Sequence, residues 1–157
     1  MNTAYADTAI TTHIDPANAA DVVNEFLRLI MLPDPIAASY YTAPDLKILF
    51  TGGRAMGAPA ECTQFNASRY KWVKKRIEST EQVMPGADGA DGADGAAADE
   101  FVVYSLGTLY GEWPDGTPFE GNRYVDRYVV KAGLITHMDV WNDSAEWLLV
   151  RAGLAVI

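Results

Sequence analysis

One run constrains this chain more than any other: Asn122-Arg123-Tyr124-Val125-Asp126-Arg127-Tyr128-Val129-Val130. Its density of aromatic and β-branched residues predicts one long strand, closed by Lys131-Ala132-Gly133 before Leu134-Ile135 begin the next. Side chains alternate along a strand, so Asn122, Tyr124, Asp126, Tyr128 and Val130 share one face, and Arg123, Val125, Arg127 and Val129 share the other. Neither face is the plain apolar stripe that core packing alone requires. A carboxylate between two tyrosines implies a polar, aromatic-walled cavity.

The surrounding chain predicts what encloses it. Residues 1–15 lack periodicity and read as an N-terminal arm. Asp15-Pro16 reads as a helix start, and Ala19, Val22, Val23, Phe26, Leu27 and Ile30 give an amphipathic helix to about Leu32. A short helix follows from Asp34 to Tyr41, with Ile36, Ala37, Tyr40 and Tyr41 as its apolar side. Leu46–Thr51 reads as a strand broken by Gly52-Gly53. Pro59–Lys75 reads as a third helix whose basic end (Lys71, Lys74, Lys75, Arg76) is solvated and complements the helix dipole. A strand over Ile77–Met84 leads into a Gly/Ala/Asp repeat, read with its flank (residues 86–98) as a flexible hairpin loop. Glu100–Trp113, Pro118–Lys131 and Leu134–Trp141 are antiparallel strands, and Asn142-Asp143-Ser144 caps a terminal helix burying Trp147, Leu148, Leu149 and Leu154. Helices early and long strands late make an α+β fold, a curved antiparallel sheet wrapped around N-terminal helices, within one domain spanning 1–157.

Charge and cysteine count narrow the function. A net charge of −9 opposes binding to nucleic acid or to anionic membranes. The chain shows neither an apolar run of spanning length nor a signal-peptide pattern, and its single Cys62 excludes an internal disulfide; a cytoplasmic location is expected. Two histidines, His13 and His137, give no metal-ligand spacing, and phosphate loop, dinucleotide fingerprint and serine elbow are missing, so neither metal nor cofactor is expected.

The element order, the run from Gly107-Thr108-Leu109-Tyr110-Gly111-Glu112-Trp113 to Pro118-Phe119, and the tail from Asn122 to Trp141-Asn142 resemble the nuclear transport factor 2-like superfamily, in its SnoaL-like and phenazine-biosynthesis branches. The resemblance covers about residues 17–155. It implies a cone-shaped sheet around one deep pocket, and an activity among isomerases, cyclases, dehydratases, hydrolases or non-catalytic scaffolds. Asp126 falls where ketosteroid isomerases carry the buried acid of their oxyanion hole. Their helical tyrosine is matched by Phe26 and their general base falls near Leu49 or Phe50, which argues against steroid isomerisation. The final strand carries Met138, Val140 and Asn142 inward, without the acids or histidines usual in polyketide cyclases.

The candidates that remain are Asp126, Arg54, Tyr124 and Tyr128 as catalytic groups, with Tyr41, Phe50, Phe65, Arg69, Tyr104, Tyr110, Asn122 and Met138 binding substrate. Asp126 is a pocket acid or base, or else the partner of an arginine such as Arg69. Arg54 beside two glycines holds a substrate oxygen or bonds loop carbonyls. The tyrosines donate to a phenol or ketone, or pack. Parity turns His137 outward, and Cys62 reads as a small core residue. This inventory suits proton transfer and oxyanion stabilisation on a bulky aromatic substrate. The resemblance extends to cofactor-free lyases that release formaldehyde from lignin-derived diaryl dimers, which makes a lyase the expected class, an isomerase, dehydratase or cyclase the runner-up, and a ligand-binding or oligomerisation module the rival. Alternating Val125 and Val129 among arginines on the outer face imply a homodimer or homotrimer.

Overall fold

The structure, a computed structural model, describes residues 18–83 and 99–156. The N-terminal arm, the Asp15-Pro16 helix start and the 86–98 loop lie outside the described residues. Within them the order is α1 (Ala19–Met31), α2 (Pro35–Ser39), β1 (Thr42–Phe50), β2 (Arg54–Met56), α3 (Pro59–Arg69), β3 (Trp72–Val83), β4 (Glu100–Glu112), β5 (Pro118–Lys131), β6 (Leu134–Asn142) and α4 (Ser144–Arg151). This is the expected α+β arrangement. No helix among the described residues is long and apolar enough to cross a membrane.

Six strands form one open sheet in the order β2-β1-β6-β5-β4-β3. All neighbours are antiparallel except β1 and β6, which run parallel with Ile48 beside Met138. The sheet is therefore not purely antiparallel, because β1 comes from the helical half of the chain and enters beside the last strand. The β5–β6 hairpin turns on Ala132 and Gly133, both with positive φ, which suits the twist of the flanking strands. At Gly107 and Gly111 of β4 the carbonyl oxygens of Arg76 and Trp72 on β3 occupy the space a Cβ would need. The two strands thus approach closely where the sheet curls.

The cap of α1 is Asn18, whose side chain accepts from the Asp21 amide at 3.4 Å. The apolar stripe of α1 is buried as its periodicity predicts. α2 buries Ala38; of its expected apolar side Ala37 and Tyr41 pack against the core, whereas Ile36 and Tyr40 are exposed. α4 tucks Trp147 and Leu148 against the core, whereas Leu149 and Leu154 stay exposed. The largest departure is α3, which stops at Arg69. Tyr70 is already extended at φ −131°, the Lys71 amide donates to the Glu112 carbonyl at 2.9 Å, and the chain joins the sheet as β3 from Trp72 onward. Trp72 and Val73, aromatic and β-branched, favour a strand there over a further helical turn. The basic run is no solvated helix end: alternation turns Val73 and Lys75 inward and Trp72, Lys74 and Arg76 outward.

Two apolar clusters fill the concave side. The larger packs α1 against Leu46, Ile48, Phe50, Val103, Tyr128, Val130, Ile135, Met138 and Val140; the smaller gathers Tyr70, Leu109, Trp113, Phe119 and Tyr124.

Candidate active site

A cavity of about 40 Å³ lies between these clusters, lined by Leu27 and Ile30 of α1, Phe50 of β1, Cys62 and Asn66 of α3, and Lys75, Tyr124, Asp126, Met138 and Val140 of the sheet. That is room for roughly three water molecules, at about 10–15 Å³ each. A wider groove of about 290 Å³ adjoins it, formed by the end of α1, α3 and the start of β3. The two share Ile30, Met31, Asn66, Tyr70 and Val73, which makes the groove an antechamber to the cavity.

The strand alternation holds along β5: Asn122, Tyr124, Asp126, Tyr128 and Val130 are all buried, and Arg123 and Val125 are exposed. Asp126 is fully buried. One carboxylate oxygen, Oδ2, accepts from Lys75 Nζ and from the Tyr128 hydroxyl, the latter at 3.0 Å. The other oxygen, Oδ1, has no partner. Lys75 also lies over the Tyr124 ring, 3.8 Å from its centroid, and the Tyr124 hydroxyl shares a 3.1 Å hydrogen bond with Ser105. The cation beside Asp126 is therefore Lys75 and not Arg69. Each buried charge thus has a hydrogen-bonded partner, without which its burial would cost more.

Burial keeps the protons of Tyr128, Tyr124 and Cys62 in place. Burial, with the Asp126 charge and the hydrogen bond to it, pushes the Tyr128 phenol well above its ordinary value. Burial raises Tyr124 to about 12 although Ser105 pulls the other way. The Cys62 thiol is likewise pushed up to about 12, first by burial and then by Asp126. It stays a protonated, weak nucleophile at the cavity wall. Near neutrality the phenols of Tyr124 and Tyr128 are donors.

A second polar knot closes the far side of the smaller cluster. Tyr70 donates to the Ser144 hydroxyl at 2.6 Å, and Asn122 Nδ2 reaches the same oxygen at 3.3 Å, leaving Asn122 Oδ1 without a partner. Asn122 belongs to this knot and does not line the cavity.

The other expected residues divide cleanly. Met138 and Phe50 line the cavity as expected. Phe65 stands behind Phe50, ring centroids 4.7 Å apart and edge to face, and takes the guanidiniums of Arg54 and Arg69 on its ring at 4.9 and 5.0 Å. Arg54 is exposed on β2, two rings away from the cavity, because Gly52 and Gly53, both at positive φ, fold β2 back along the sheet edge. Tyr41 packs beside α1 and lines no part of the cavity. Tyr104 and Tyr110 lie on the outer face of β4, where Tyr110 meets Trp72 and Arg76. Their inward-facing neighbours are Ser105, Gly107 and Leu109. Sequence reasoning missed Lys75, Ser105, Tyr70 and Ser144. For Lys75 a signal existed, since Val73, Lys75 and Ile77 alternate with Trp72, Lys74 and Arg76 as in a strand. Among the described residues no cluster of three His, Cys, Asp or Glu is arranged to hold a metal.

No protein-family model matches this chain, and no curated protein does. Solved structures do. A nuclear transport factor 2-like protein of unknown function from Burkholderia pseudomallei shares 14% identity, covering 86% of this chain and 96% of its own, with a TM-score of 0.62. A protein with a ketosteroid isomerase-like fold from Catenulispora acidiphila, in complex with trimethylamine, shares 15% over 85% of this chain and 93% of its own, at a TM-score of 0.60. TerC, co-crystallised with polyporic acid, shares 12% over 85% and 96%, again at 0.60. The chain has the nuclear transport factor 2-like fold.

Proposed function

Starting from a nuclear transport factor 2-like fold with a buried, half-satisfied carboxylate, we propose that this protein is an enzyme that moves protons on a small organic molecule, with Asp126 as the base. The observation that carries this reading is the asymmetry of Asp126. Its Oδ2 is fixed by Lys75 and Tyr128, and its Oδ1 is buried without a partner. An unmet buried acceptor costs about 1–3 kcal/mol, and a substrate hydroxyl or acidic C–H removes that cost. Lys75, Tyr124 and Tyr128 supply the positive charge and donors that stabilise developing negative charge.

Of the reactions open to these groups we favour a lyase releasing a small aldehyde; isomerisation and dehydration draw on the same base and donors. The cavity takes only the reacting arm of the substrate, and an aromatic body lies in the groove beside Tyr70 and Val73. A lignin-derived diaryl dimer satisfies this only with both rings outside the inner cavity. Two fold neighbours crystallised with small organic molecules, trimethylamine and polyporic acid, are in keeping with a ligand-holding pocket. The rival reading, a binding module, is favoured by the closed Lys75–Asp126 pair, which leaves one carboxylate oxygen for chemistry. We read the location as cytoplasmic and the assembly as a dimer or trimer through the outer face, where Val125 and Trp141 are 36% and 50% exposed; a monomer by light scattering at micromolar concentration rejects that assembly.

The test is a mass-spectrometric screen against phenolic dimers and β-hydroxy carbonyl compounds, followed by Asp126→Asn on any substrate found. Turnover should fall by about 10²–10⁴ with the fold intact. Unchanged turnover rejects Asp126 as the base, and ligands recovered unaltered from the pocket favour the binding module.

A further inference from the structure

The five lysines of this chain divide sharply. Lys47, Lys71, Lys74 and Lys131 are exposed, whereas the Lys75 side chain is 9% exposed and lines the cavity. A buried amine beside a carboxylate has a choice that a surface lysine lacks. As an ion pair the two groups carry separated charge at a site where the carboxylate is fully buried and the lysine side chain is 9% exposed. If the proton crosses the existing hydrogen bond from Nζ to Asp126 Oδ2, both become neutral, and Lys75 becomes a primary amine with a lone pair beside the cavity. None of the exposed lysines has such an acceptor already buried against it.

We propose that Lys75 is a covalent nucleophile that condenses with the carbonyl of an aldehyde or ketone substrate to form a Schiff base. This rests on the reading of the cavity as an active site and names its substrate class. The proton inventory closes on Asp126. The amine attacks the carbonyl carbon, the C–N bond forms, and the π electrons move to oxygen, which takes the proton held by Asp126. The carboxylate then removes a proton from the new ammonium and returns it to the hydroxyl, which leaves as water. What remains is an iminium on Lys75 beside a carboxylate, with the same net charge as the starting pair. The Tyr128 hydroxyl, held on Oδ2 and kept protonated, steadies that carboxylate through each transfer. The Tyr124 face, 3.8 Å from Nζ, suits the cationic stage as it suits the ammonium.

Once formed, the iminium is an electron sink. For a β-hydroxy carbonyl substrate, Asp126 takes the β-hydroxyl proton, the bond between the α and β carbons breaks, and its electrons pass to nitrogen as an enamine. The β carbon leaves as an aldehyde. Protonation of the enamine and addition of water then free Lys75. No oxidant or reductant is consumed.

The test is reductive trapping of the wild-type protein with acetaldehyde, which fits the cavity, and with benzaldehyde, whose ring reaches the groove. Sodium cyanoborohydride is present, and peptide mapping locates the ethyl or benzyl group. Labelling of Lys75 at least ten times faster than the mean of Lys47, Lys71, Lys74 and Lys131 is the expected result, although access alone ranks it last. Labelling in order of exposure, or no Lys75 adduct with either aldehyde, overturns the proposal. A correctly folded Lys75→Arg keeps the charge and must lose the adduct and turnover together; retained turnover also overturns it. The two readings fail separately. Turnover that Asp126→Asn abolishes, without any Lys75 adduct, leaves acid–base catalysis standing and removes only the covalent step. A Lys75 adduct in a protein whose turnover survives Asp126→Asn removes Asp126 as the base.

Discussion

The Lys75–Asp126 pair makes a quantitative demand on stability. In Lys75→Met the methionine fills most of the lysine's volume, but Asp126, fully buried, keeps only the Tyr128 hydroxyl as a donor. Removing one member of a buried pair typically costs about 3–5 kcal/mol, and the lost cation–π contact with Tyr124 adds about 1 kcal/mol. For a chain of this length each kcal/mol moves the melting temperature by about 2–4 °C, so a fall of roughly 8–24 °C is expected. Urea unfolding followed by the fluorescence of the four tryptophans gives the free energy directly, with an unchanged slope confirming that the same surface is exposed. The informative variant is the double one. Lys75→Met with Asp126→Asn leaves no buried charge, and should recover at least about 2 kcal/mol relative to Lys75→Met alone. A loss under about 1 kcal/mol in Lys75→Met places the pair in the weak class of exposed ion pairs. A double variant as unstable as the sum of the singles shows no coupling. Either result refutes the view that Lys75 compensates Asp126.

Gly107→Ala forces a Cβ into the Arg76 carbonyl of β3 and should cost several kcal/mol by thermal denaturation, whereas Gly121→Ala, strained only by its positive φ, should cost about 1 kcal/mol. The folded Cys62 thiol is pushed from 9.0 to about 12, so the unfolded chain loses its proton first; the contribution of this residue to stability should be constant below pH 9 and fall by about 4 kcal/mol toward pH 12, and a Cys62→Ala variant should show a visibly shallower alkaline decline. Arg54→Ala, at an exposed guanidinium stacked on Phe65, should change turnover by less than about threefold once a substrate is known; a loss of 10²-fold or more returns Arg54 to the reacting centre.

The inward face of β5 was legible because alternation is a rigid consequence of strand geometry, and five successive inward positions obey it from Asn122 to Val130. The strand ends of β4 and β5 were legible for a related reason: Pro114-Asp115-Gly116 breaks the alternation sharply. Legibility failed where two periods compete. From Trp72 to Arg76 the charges fit a helix end as well as a strand, and only pairing with β4, a contact with a distant part of the chain, decides between them. That single ambiguity hid Lys75, and with it the true partner of Asp126. Tyr104 and Tyr110 were misplaced because aromatic residues suggest an interior, yet β4 turns its glycines and Ser105 inward to let β3 close over them. Arg54 was placed by its neighbours in sequence, and Gly52-Gly53 sends the chain away from the cavity instead of along it.

The parallel pairing of β1 with β6 also sets a clock. Ile48 finds its partner Met138 ninety positions later, so a chain leaving the ribosome carries the finished β1 for on the order of 5–20 s before its neighbour is even synthesised. In that interval the inner face of Leu46, Ile48 and Phe50 can pack on α1, but along its edges β1 has only the three-residue β2 as a strand partner. Contacts so distant in sequence also slow folding once synthesis is complete. The cavity wall built from Phe50, Met138 and Val140 is therefore the last part of the site to be assembled, and any nascent or truncated chain ending before Leu134 exposes an apolar strand edge in place of a pocket.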